Sequence, residues 1–242
     1  MIAERLAQDG PVIPDFGRGS ECVTENRFFC WDWATEHWDD TLQPRLLEHV
    51  ELTVYAVGIG FAIAFAAALI AYRFRWFEGP FGLFSAFLYT VPSLALFQLL
   101  VPITGLTVTT VEIALVGYTL LILFRNILAG LRGVPEDVLE AARGMGLTRA
   151  QTLTRIELPL ALPAVLAGVR IATVSTISLA TIAAFILPEG LGAPILDGLR
   201  NFFKTKFIAA GLLAVGLALV ADAVLVLLGR LVTPWATVRR VA

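Results

Sequence analysis

Five stretches of this chain are long and apolar enough to cross a lipid bilayer, and they limit the fold more than any other feature. A spanning helix needs about 20 mostly apolar residues, and such runs lie near 50–72, 81–103, 107–129, 160–187 and 208–232. Only 16% of the 242 residues are charged and 57% are hydrophobic. An ordinary soluble domain carries about a quarter charged residues, and a mean hydropathy of +0.79 does not suit a water-facing surface. The expected fold is therefore an all-α integral membrane protein with about five transmembrane helices. No basic patch points to nucleic acid. The first residues include Glu4, Arg5, Gln8 and Asp9 without a continuous apolar run, so a cleaved signal peptide is not expected.

Charge in the connections sets the expected orientation. Arg73 and Arg75 follow the first run, and the second connection has no Lys or Arg. The third carries Arg132, Arg143, Arg149 and Arg155, and the tail carries Arg239 and Arg240. Positive charge accumulates on the cytoplasmic side, which places the third connection and the C-terminus inside and the N-terminus outside. Arg200, Lys204 and Lys206 on the outer side run against this pattern. Residues 1–49, read as an extracytoplasmic segment ahead of a 50–242 permease domain, hold ten acidic residues against four arginines. Trp31, Trp33 and Trp38 within it suit the headgroup layer. Cys22 and Cys30 could close a small disulfide loop on an oxidising side; the alternative is two free thiols. In the first run Gly60, Ala64 and Ala68 recur every four residues, a spacing that lets helices approach closely; the alternative is generic alanine-rich filler.

The third connection, 130–160, carries the chemistry. Pro135, Glu136 and Asp137 suit a helix start. Val138, Ala142 and Met145 share a helical face, and Gly144 and Gly146 can end the helix. Thr148 and Gln151 form a capping-box pattern, Leu153 and Ile156 give the second helix an apolar face, and Pro159 and Pro163 mark a turn into the fourth run. Two short amphipathic helices meeting at a glycine turn want a protein partner. Glu136, Asp137, Glu140 and Glu157 disfavour a helix lying on lipid.

Residues 140–159, EAARGMGLTRAQTLTRIELP, resemble the EAA loop of bacterial ABC importer permeases: EAA, three residues, Gly, nine residues, Ile, one residue, Leu-Pro. The matching positions are Glu140, Ala141, Ala142, Gly146, Ile156, Leu158 and Pro159, with Arg143 inside the block. The resemblance implies a type I ABC importer permease whose loop docks on an ATP-hydrolysing subunit. ATP and magnesium would then be bound by an ATPase dimer in separate chains. This chain has no P-loop, since its only lysines, Lys204 and Lys206, do not follow glycine. It is thus not expected to be an enzyme or to bind a cofactor itself. A second permease, identical or a paralogue, and an extracytoplasmic substrate-binding protein complete the expected complex in the bacterial cell membrane.

HVELT at 49–53, YTVPSLALFQLL at 89–100 and ELPLALPAVLAGVR at 157–170 extend the resemblance to glycine betaine/carnitine/choline permeases of actinobacterial type. A GAGGLG-like turn of that group reads LPEGLG here at 187–192, which leaves open how the outer gate is built. Chemistry adds candidates for the pathway, because quaternary ammonium groups prefer aromatic faces. They are Tyr89, Phe97 and Tyr118 with hydroxyls from Thr90, Ser93, Thr173, Thr176, Ser178 and Thr181; the alternative is helix packing. Thr90, Ser93 and Phe97 share one helical face. Ionisable residues inside spans are Glu112, Arg125, Arg170 and Asp222. Glu112 and Arg125 lie near helix ends, where snorkelling relieves them. Asp222 is expected to pair with Arg170 or Arg125, either to hold the bundle or to act as a gate. A permease for another small solute such as an amino acid and an ion-coupled secondary carrier are the alternatives; the carrier lacks the internal repeat usual in that class. No His/Cys/carboxylate cluster has metal-ligand spacing.

Overall fold

The computed structural model describes residues 20–235, so Arg239, Arg240 and the acidic residues Glu4, Asp9 and Asp15 lie outside the described residues. The described chain is helical. Short α1 (Glu21–Thr24) and α2 (Trp31–Glu36) precede a π turn and α3 (Gln43–Arg73). Then come α4 (Arg75–Thr90), α5 (Ser93–Thr104), α6 (Val108–Arg132), α7 (Glu136–Gly144) and α8 (Arg149–Thr152). A second π turn, Leu153–Glu157, leads into α9 (Leu158–Ile182), followed by α10 (Gly192–Arg200) and α11 (Lys204–Val232). The 49/50 boundary falls inside α3, so the first spanning helix is not separate from the segment before it.

Four spans are single helices, but the second is broken. α4 and α5 meet at 103° around Val91 and Pro92. Proline has no N–H to donate and pushes the preceding residue out of the helical region; Val91 accordingly has ψ 130°. The bend separates Thr90 from Ser93 and Phe97, so the three do not share one helical face.

α6 is the central post, its apolar stretch 61% buried against 6% for the peripheral α11. Lipid provides no hydrophobic drive between helices, so close backbone approach and dispersion hold the bundle. Gly60, Ala64 and Ala68 form that approach: Ala64 and Ala68 are fully buried, and a Cβ at Gly60 would lie 1.8 Å from Thr119 Oγ1 on α6.

At one end of the bundle, Cys22 and Cys30 are disulfide-bonded and close a small cap. The cap sits on the turn before α11. Asn26 Nδ2 donates to Phe202 O (2.7 Å) and its Oδ1 accepts from Lys204 N–H (3.1 Å). Cys30 N–H donates to Thr205 Oγ1 (3.0 Å). Trp33 is buried with its ring edge-on to Phe203, which corrects its assignment to the headgroup layer; Trp31 remains exposed.

The LPEGLG turn is fastened to the same end of α3. Arg45 Nη1 donates to Pro188 O and to Glu48 Oε2, and Glu48 Oε2 accepts from Gly190 N–H. His49, fully buried, donates from Nε2 to Ile177 O (3.0 Å) and accepts at Nδ1 from Leu191 N–H (3.2 Å). That pair of bonds fixes one neutral tautomer. Burial, then the Glu48 carboxylate, pushes the Glu189 carboxyl above its ordinary range.

Candidate functional site

The loop at the opposite end folds by local rules. α7 ends in a Schellman arrangement: Gly146 N–H donates to Arg143 O (2.9 Å) and Leu147 N–H to Ala142 O (3.1 Å). Gly146 takes φ +77°, the left-handed conformation this motif needs. Thr148 Oγ1 accepts from Gln151 N–H and Gln151 Oε1 accepts from Thr148 N–H, completing the capping box. Leu139 and Ala142 are buried beneath α7, while Met145 is 70% exposed, so the inward face includes Leu139 and not Met145. Glu140, Ala141, Arg143 and Gly144 form an exposed surface with Met145 and Gly146. Arg143 pairs with Glu136 at 3.1 Å.

The turn expected at Pro159 and Pro163 does not form. One span runs from Arg149 to Phe185. Pro159 sits in the first turn of α9, where its missing N–H is tolerated, and the π turn just before it resets the hydrogen-bond register. Leu153, Ile156, Leu158 and Pro159 are half-buried along this rod. Tyr72 OH donates to buried Glu157 (3.0 Å), tying α3 to the root of α9. A 510 Å³ cleft under the loop is lined by Arg73, Arg143 and Arg149 among others.

The break in the second span opens a 570 Å³ cavity against α6 and α9. Tyr89, Thr90, Ser93, Tyr118, Thr176 and Ser178 line it, with Ser175 and Ile122, which the sequence did not single out. Tyr118 OH donates to Val91 O, holding the break open. The Tyr89 and Tyr118 rings stand 6.2 Å apart at 67°. Phe97 is fully buried in the core, Thr173 bonds back to Val169 O and Thr181 to Ser178 O, so these three do not line the cavity.

A second cavity, 660 Å³, lies in the α4–α6 groove nearer the loop end. Glu78 and Arg132 cross its mouth in a two-pronged ion pair (2.9 and 2.7 Å). Arg125 lies between that pair and the upper cavity. Asp222 takes Arg170 (2.8 and 3.0 Å) and not Arg125. Glu112 does not snorkel: both carboxylate oxygens are buried without a hydrogen-bond partner.

Residues 58–234 match the family described as "Binding-protein-dependent transport system inner membrane component". The chain is 35% identical over 188 residues to the choline transport system permease protein OpuBB of Bacillus subtilis (strain 168), covering 77% of this chain and 86% of that protein. It is 34% identical to the glycine betaine/carnitine/choline transport system permease protein OpuCB of the same organism, with the same coverage. In structure it resembles the inward-facing MetNI methionine ABC transporter, with TM-score 0.70 and 19% identity over 82% of this chain and 98% of that one. The exposed EAA loop, the helical bundle and the family match agree: this chain belongs to the inner membrane components of binding-protein-dependent transport systems.

Proposed function

We propose that this chain is the permease subunit of an ABC importer that carries quaternary-ammonium osmoprotectants such as glycine betaine, choline or carnitine. The loop of residues 140–159 faces the cytoplasm, and the disulfide-closed cap faces outward. The observation that carries the transport reading is the exposed surface around Glu140, Ala141 and Met145, presented at the end of a rod that runs unbroken to the cavity wall. An exposed apolar side chain beside carboxylates and small residues suits a groove on a separate ATPase subunit, where ATP and magnesium are bound. The named cargo of the curated relatives and the Tyr89–Tyr118 pair at the cavity support the substrate class, since aromatic faces attract quaternary ammonium groups. A second permease closes the open side of the groove, and an extracytoplasmic binding protein delivers the solute.

The test is to reconstitute the permease with its ATPase and binding protein. Glycine betaine, choline and carnitine are each expected to stimulate ATP hydrolysis and to be taken up. Failure of all three to do so would refute the substrate assignment.

A further inference from the structure

Arg125 is a cation on the central helix with no ion pair in the fold among the described residues. It is exposed to the 660 Å³ cavity and has neither an ion pair nor a hydrogen bond among the described residues. Glu78 lies within the field of Arg125, but its oxygens and those of Asp222 are hydrogen-bonded to other guanidinium groups. Glu78 is held on both oxygens by Arg132, and Asp222 on both oxygens by Arg170. Arg125 lines the same cavity as the Glu78–Arg132 ion pair, so its guanidinium faces a polar groove and not hydrocarbon.

The wall opposite is kept clear. A Cβ at Gly79 would meet nothing within 4 Å, and one at Gly82 only the Phe124 ring at 3.9 Å. A Cβ would fit at either place, so the space in front of this wall is open. The cavity lies along the same helix as the upper one, nearer the loop end. Tyr118, Ile122, Arg125, Ala129 and Arg132 fall on one stripe of α6, and Arg125 lies seven residues, about 10 Å, below Tyr118.

We infer that Arg125 is a carboxylate-binding residue of the transport groove, receiving the acid end of a zwitterionic betaine as it leaves the Tyr89–Tyr118 cavity. Guanidinium presents a planar fork that fits a carboxylate with two hydrogen bonds. With Arg132 also cationic and Glu78 the one carboxylate lining this cavity, its field favours carboxylate-bearing solutes over the bare cation choline. This inference rests on the osmoprotectant reading and selects within it.

The experiment is uptake by the complete reconstituted importer, with glycine betaine and choline each at saturating concentration so that the binding protein's own preference drops out. Arg125→Gln is expected to lower the betaine-to-choline uptake ratio about ten-fold or more, the effect of losing a charge-assisted hydrogen-bonded contact. Arg125→Lys should recover part of the ratio. An unchanged ratio overturns the assignment, whether both rates persist or both fall together, as they would if the variant misfolded. A ratio that depends on anionic lipid in the vesicles overturns it as well, by assigning Arg125 to a lipid headgroup. If the wild type moves neither solute, the osmoprotectant reading itself fails and the site fails with it.

Discussion

Gly146→Asp is the substitution that best separates docking from folding. At φ +77° an L residue is strained, at a cost of about 1–2 kcal/mol. Asp lies at the low end, because its short polar side chain tolerates this region. No steric cost is added, since a Cβ at Gly146 would meet nothing within 4 Å. A loss of about 1 kcal/mol is small against a total stability of roughly 5–15 kcal/mol, so the variant should insert and fold. Gly146→Ala carries backbone strain at the upper end of that range, without the charge. Gly144→Leu is a third probe: Gly144 ends α7, its Cβ position is also open, and leucine there should leave the isolated chain's stability within about 0.5 kcal/mol. All three face the proposed ATPase surface. The assay pairs thermal unfolding of the purified permease with solute-stimulated ATP hydrolysis in the reconstituted complex. Gly146→Asp and Gly144→Leu are expected to abolish stimulated hydrolysis while unfolding near the wild-type temperature, with Gly146→Ala intermediate. Wild-type coupling in Gly144→Leu would show that this surface does not dock.

Other sites give sharper structural tests. Asp222→Asn or Arg170→Gln alone leaves one charge unpaired and should lower the yield of folded protein; the double variant should restore it. Restored folding without transport would make the pair a gate element and not a brace. Glu112→Leu removes a polar group buried without a partner and should raise stability by about 1–3 kcal/mol, read as a higher melting temperature; a drop would reveal a partner for that carboxylate. Replacing Cys22 and Cys30 with serine opens a small loop whose closure stabilises by about 2–3 kcal/mol on chain-entropy grounds. Amide exchange should quicken in residues 20–37 and stay unchanged in α6; uniform exchange would show the cap contributes nothing locally.

Local patterns were legible in the sequence because they are short-range. The Thr148–Gln151 box, the Gly146 turn and the Gly60, Ala64, Ala68 approach all follow from spacings of three or four residues or from a single glycine. The break at Val91–Pro92 is hidden from hydropathy, because the apolar run continues through it and hydropathy does not register the missing N–H. Pro92 was the available signal. Met145 and Leu139 are six residues apart on one short helix, and only tertiary packing decides which turns inward. Contacts such as Tyr72–Glu157 and Glu78–Arg132 bridge 85 and 54 residues of sequence. No local rule selects those partners, and the 103° bend that forms the upper cavity had to be seen before the cavity could be.

That bend and the unbroken fourth span together explain how a surface loop can govern a cavity far from it. The span from Arg149 to Phe185 is one rod of 37 residues, and its far portion, through Ser175, Thr176 and Ser178, forms one wall of the upper cavity. Near its root, the Tyr72–Glu157 hydrogen bond joins it to α3. Thr176 lies 19 residues beyond Glu157, about 28 Å along the helix. If that bond acts as the pivot, a tilt of roughly 10° at the docked loop moves the cavity wall by about 5 Å, comparable to the width of a trimethylammonium group. The opposite wall is a broken helix whose bend is fixed by Tyr118 on Val91 O. One side of the cavity is therefore a lever and the other an anchored corner. Closure of an ATPase pair under two such loops would widen or pinch the cavity without unfolding either wall, and a turn at Pro159 would have disconnected them.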